Sequence, residues 1–122
     1  MMHSSRVAAL MAVVLAVVGL SIAAPAQAEL RVVDGNLWAA SSLAEKRAYL
    51  VGVANTVAVN RALQAKRGTL DRNAPNNRIE VALDAGTIDR AIERIDGWYG
   101  ANPGRKDAPV LGVIWMAMVQ GR

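Results

Sequence analysis

The sequence predicts a small all-α domain of three to four helices, residues 29–122, behind a cleaved signal peptide, residues 1–28. Two segments carry apolar residues at helical spacing, three apolar stretches open on helix-start signals, and the first 28 residues have the layout of an export leader. In that leader Arg6 and the free amine form a short positive region, and residues 7–20 are an apolar run broken only by Gly19. Pro25 ends any helix just ahead of Ala26-Gln27-Ala28, an A-x-A site whose small side chains suit a signal peptidase. Cleavage after Ala28 is expected. An uncleaved anchor is the competing reading, since residues 7–24 are almost long enough to span a bilayer. Residue 29 is Glu and not a lipid-accepting Cys, and no twin-Arg pair precedes the apolar run. The expected destination is the periplasm by the general secretory route, with no stable membrane anchor after cleavage.

Composition narrows the chemistry. The chain has 14 Lys+Arg against 10 Asp+Glu, one His and no Cys. The single His3 lies in the leader, so the domain would hold neither His nor Cys. Such a domain has no Cys/His zinc site, Ser-His-Asp triad, thiol nucleophile or imidazole base. No metal or other cofactor is expected. The arginines are spread among acids and form no basic stripe, so no nucleic-acid partner is expected. Without disulfides, packing alone or a second subunit must stabilise the domain.

Along the domain, residues 29–37 read as a lead-in with a turn at Asp34-Gly35-Asn36. Ser42-Leu43-Ala44-Glu45 has capping-box spacing and predicts a helix running to about Lys66, with Gly68 as its stop. Leu43, Leu50, Ala54 and Val57 share one side of that helix. Only Asn55 and Thr56 are strongly polar between residues 48 and 59, which predicts burial on more than one side and a buried Asn55 in need of partners. Residues 68–78, rich in Asn, Gly and Pro, read as a loop dividing the domain. Residues 79–83 fit a short strand or a helix equally. Thr87 caps a helix whose Ile88, Ala91, Ile92, Ile95, Trp98 and Tyr99 follow amphipathic spacing, ended by Asn102-Pro103-Gly104. Asp107-Ala108-Pro109 opens a final segment, residues 110–119, without a charged residue; helix is preferred and a buried strand is the alternative. The expected core is Leu50, Val53, Val57, Ile92, Ile95, Trp98, Val113, Ile114 and Met118.

Two features invite a chemical reading. Asp89, Glu93 and Asp96 line one flank of the Thr87-capped helix and Arg90 and Arg94 the other, and paired carboxylates can hydrolyse glycans. Neighbours on one solvated flank neither face each other across a bond nor share a desolvated site, so a polar surface is the preferred reading and no catalytic residue is assigned. Trp98-Tyr99 could stack on a sugar, but their register favours core anchors.

Three stretches together resemble the periplasmic immunity proteins of type VI secretion systems, the Rap/Tai immunity family. They are Gly35-Asn36-Leu37, the run Tyr49-Leu50-Val51-Gly52-Val53-Ala54, and residues 86–119 with Thr87-Ile88-Asp89, Trp98-Tyr99, Asn102-Pro103 and Ala108-Pro109-Val110. The likeness covers roughly residues 35–119. It implies a small all-α periplasmic protein, commonly dimeric, that binds and blocks a cell-wall amidase toxin without catalysis of its own. The chain departs from the family in lacking cysteines near the first helix and in the central loop. The other functions in view are a structural or stress-related envelope protein and a glycan-acting enzyme.

A partner contact is expected on loop residues 68–78, where Arg72, Asn73, Asn76, Asn77 and Arg78 offer hydrogen-bond donors and two charges to the acidic or polar cleft of a hydrolase. The plainer alternative is a solvated connection. The uncharged residues 110–119 also suggest a homodimer that covers what so small a domain leaves open.

Overall fold

A computed structural model describes residues 31–121, so the leader and the site after Ala28 lie outside the described residues. Five α-helices follow one another there: α1 (Gly35–Ala40), α2 (Leu43–Lys66), α3 (Pro75–Asp84), α4 (Ile88–Ala101) and α5 (Val110–Ile114). A 3-10 turn at Pro103–Arg105 joins α4 to α5, and α5 widens into a π turn over Trp115–Val119. There is no strand among the described residues, and no helix there is long and apolar enough to cross a membrane.

The expected start signals hold. Ser42 Oγ accepts the Glu45 N–H at 3.2 Å and Glu45 Oε2 accepts the Ser42 N–H at 2.6 Å, which closes the capping box of α2. Gly68, at φ 69°, takes the left-handed conformation that stops the helix. Thr87 Oγ1 accepts the Arg90 N–H at 3.2 Å and starts α4. Residues 79–83 are helical, within α3, with Ile79 and Leu83 buried one turn apart.

Two expectations are corrected. The turn at Asp34-Gly35-Asn36 is the start of α1, because Asp34 Oδ1 accepts the Leu37 N–H at 2.9 Å and acts as an N-cap. The middle of α2 is buried on one side only: Leu50 and Val57 are enclosed, whereas Val51 is 45% and Val59 61% exposed. Its neighbours α3 and α4 cover a single face. Asn55, expected to be buried, is exposed.

Core packing centres on the closing segment. Val110, Val113 and Ile114 have no exposed surface, and Ala117 follows one turn on. Around them gather α4, with Ala91, Ile92, Ile95 and Tyr99 inside, and α3 with Ile79 and Leu83. Of the expected core, Leu50, Val57, Ile92, Ile95, Val113 and Ile114 are buried, while Val53, Trp98 and Met118 are only half covered. One chain thus encloses one face of the segment, while Leu111 stays 45% exposed and Trp115, Met116, Met118 and Val119 are half-buried.

The short α1 is clamped by Trp38. Its indole N–H donates to Asp96 Oδ1 at 2.7 Å, and its ring meets Tyr49 edge-on at 6.2 Å. Lys46 Nζ lies 3.2 Å from the same carboxylate and 5.2 Å over the indole. The Val110 N–H donates to Val33 O at 2.8 Å and ties the lead-in to α5. Gly35 abuts the Tyr99 ring so closely that a Cβ would strike it and approach Lys106 O to 2.8 Å. Tyr99 Oη donates to Ala108 O at 2.6 Å.

Truncating Ile95 to Ala should lower stability by about 2 to 5 kcal/mol in chemical denaturation, the cost of a cavity in an enclosed site. Burial first, then the charge of Asp34 and the neighbouring Tyr49, pushes the Tyr99 hydroxyl up to about 12. An unfolded tyrosine ionises near pH ~10. Above that pH the native state holds a proton that the unfolded state has lost, so this contribution is complete below ~10 and is lost as pH rises through about 12. Absorbance at 295 nm should show a late tyrosine step near pH 12 that is missing in Tyr99→Phe.

Candidate functional site

The expected loop is shorter than its composition suggests. Pro75 occupies the first turn of α3, where its fixed φ favours the helix and its missing N–H costs nothing, so Asn76, Asn77 and Arg78 are helical. Only Arg72 and Asn73 of the expected contact residues remain in the connection. There Asp71 Oδ1 accepts the Asn73 N–H at 2.9 Å, forming a tight Asx turn.

The five expected residues fall in three environments. Asn77 is 2% exposed and points inward, where Nδ2 donates to Gln64 Oε1 at 2.8 Å and to Asp71 O at 2.5 Å. It is therefore unavailable to a partner and belongs to the scaffold. Asn76 borders a separate, mainly apolar groove of about 500 Å³ beside Tyr49, Val57 and Leu111. Arg72, Asn73 and Arg78 do converge. They line a cleft of about 420 Å³ whose apolar wall includes Val81, Met118 and Val119. The Arg78 guanidinium carbon lies 5.1 Å over the Trp115 ring, a cation–π contact.

This cleft is one end of a larger basic surface. A neighbouring cavity of about 160 Å³ shares Met118 and adds Arg90 and Arg94, and a third of about 640 Å³ shares Arg94 and adds Arg105 and Trp98. No carboxylate among the described residues lines any of the three. Among the described residues none of these five arginines is in an ion pair, since the pairs are Lys46–Asp96, Arg47–Asp89 and Arg61–Glu80. Sequence reasoning placed Arg90 and Arg94 on one flank of α4 but missed their meeting with Arg72, Arg78 and Arg105. The i, i+4 spacing of Arg94 and Trp98 was the available signal.

The acidic flank of α4 faces other partners. Arg47 grips Asp89 with two hydrogen bonds, at 2.7 and 3.0 Å, and they hold its carboxyl below the usual carboxylate range. A general acid needs the opposite shift. Asp96 is engaged by Trp38 and Lys46 as described, and Glu93 is exposed. Among the described residues no group of three His, Cys, Asp or Glu is placed to hold a metal ion. Comparison with protein-family models, with curated proteins and with solved structures finds no match.

Replacing Asn77 by Ala should lower stability by about 1 to 3 kcal/mol in urea denaturation, because the enclosed amide's hydrogen bonds to Gln64 and Asp71 are lost and its site is left unfilled. Asn76→Ala, made on the exposed side of the same turn, should stay within about 0.5 kcal/mol of the parent.

Proposed function

We propose that this chain is an exported periplasmic protein that captures a partner protein through the cleft at Arg72 and Arg78 and performs no catalytic turnover of its own. The observation that carries the proposal is the cleft itself: two arginines that have no ion-pair partner among the described residues, beside an apolar wall of Val81, Met118 and Val119, with no carboxylate of those residues in its lining. Arginines beside apolar surface are the usual anchors of protein recognition, and the sign of the charge selects an acidic or polar cleft on the partner. The A-x-A leader supports export, and the helical architecture is the kind that the resemblance to amidase-blocking immunity proteins implies. On this reading the partner is a periplasmic hydrolase, with a cell-wall amidase toxin first among candidates.

The test is capture of that partner from periplasm by the purified mature chain, compared with the double variant R72E/R78E. Charge reversal should weaken capture by about tenfold or more and should reduce its salt sensitivity, with the helical circular dichroism signal unchanged. Undiminished capture would remove this cleft as the contact.

A further inference from the structure

The cavity of about 640 Å³ between the end of α4 and the π turn stands apart from the cleft at Arg72 and Arg78. Arg94, Trp98, Asn102, Arg105, Met116 and Gln120 line it, and its volume falls in the range of small-ligand sites. We propose that it binds an aromatic carboxylic acid, with the carboxylate held by Arg94 and Arg105 and the ring against Trp98 and Met116. This inference does not rest on the partner-capture reading.

Charge is the first ground. Among the described residues the lining carries two guanidinium groups and no acid, so an anion entering it leaves two like charges better compensated. Preorganisation is the second. Arg94 Nη2 donates to the Ala117 carbonyl, which fixes that guanidinium at the cavity wall while its other N–H groups stay open. The Arg105 guanidinium carbon lies 5.2 Å over the Trp98 ring, a cation–π contact that keeps the second charge at the cavity. Asn102 donates Nδ2 to Trp98 O at 2.8 Å and steadies the rim. A planar carboxylate matches a guanidinium fork, and the apolar wall beside it sets an acid carrying a ring above a bare anion. The ring preference comes from the half-buried indole and the Met116 thioether, an apolar wall that water wets poorly.

Two sources share this chemistry: a free aromatic acid, and the C-terminal carboxylate of a peptide ending in Phe, Tyr or Trp. The experiment follows the indole N–H signals of the full mature chain by two-dimensional NMR, with the Trp98 signal assigned from Trp98→Phe. The Trp38 indole, bonded to Asp96, serves as the internal control for folding. Titration with 2-naphthoate should move the Trp98 signal saturably and leave Trp38 in place. The neutral analogue 2-naphthylmethanol should bind about tenfold or more weakly, and Arg105→Gln should weaken naphthoate by a similar factor. The peptide Ala-Ala-Phe, with a free or an amidated C-terminus, separates the sources: binding of the free form alone assigns peptide ends, and naphthoate binding without it assigns small acids. Equal affinity for acid and alcohol, no loss in Arg105→Gln with Trp38 unmoved, an equal shift with inorganic phosphate, or no movement of Trp98 would each overturn the proposal.

Discussion

The inner face of the closing segment must be enclosed, and the rest of the domain is arranged to do so. Val110, Val113 and Ile114 are wholly buried in a domain without disulfides, and each such side chain contributes roughly 1.5 to 3 kcal/mol by leaving water. Segment α5 is too short to stand alone, since isolated helices need about 12 to 15 residues to be even marginal. It therefore takes its shape from its surroundings: Ile92 and Ile95 of α4, Ile79 and Leu83 of α3, and the Val33 carbonyl that accepts the first N–H of α5. The clamp of Trp38 on Asp96 and the close fit of Gly35 against Tyr99 hold the lead-in over the same core.

Helix α4 has to serve that core while carrying charges on both flanks, and it treats the two signs differently. Asp89 and Asp96 turn toward Arg47, Lys46 and the Trp38 indole, where hydrogen bonds meet their charge. Arg90 and Arg94 border the cavities beside the closing turn, where no carboxylate among the described residues lines the wall. Arginines gathered around one short turn repel each other weakly across solvent, a cost that salt screens within about 8 to 10 Å. Cation–π contact of Arg78 with Trp115 and of Arg105 with Trp98 offsets part of it by about 0.5 to 1 kcal/mol each at exposed sites. The balance leaves a face stable enough to persist and electrostatically incomplete, which is the condition a binding surface needs.

What was legible in the sequence was local. The capping box at Ser42 and Glu45, the Thr87 cap, the Gly68 stop and the amphipathic register of α4 all depend on residues within a few positions of one another. The misreadings arose where one local signal serves two structures. Asp34 fits a turn or an N-cap, and Pro75 marks either a loop or the first turn of a helix, which is how Asn76, Asn77 and Arg78 were assigned to the wrong element. The apolar run in α2 could not reveal how many neighbours it has, and exposed Val51 and Val59 show that composition is no measure of burial. The meeting of Arg94, Trp98 and Arg105 depends on the direction in which the Asn102-Pro103-Gly104 break sends α5 back: the break is marked in the sequence, its direction is not.

Asn77 joins these themes. Its residue type attracted attention as a surface donor, yet burial converts it into the brace for the residues that do reach the surface. By donating to Asp71 O it fixes the backbone immediately before Arg72, and by donating to Gln64 it ties that backbone to α2. Ordering a rotamer-rich side chain at an interface costs about 0.5 to 1.5 kcal/mol, and a mobile connection would add its own backbone entropy. With the connection already braced by a buried amide, and Arg78 already held against Trp115, much of that ordering is done in folding. The same logic sets Arg94 on the Ala117 carbonyl and Arg105 on Trp98. In each case a structural contact engages one part of an arginine or its backbone, so core packing determines where the charged groups can act.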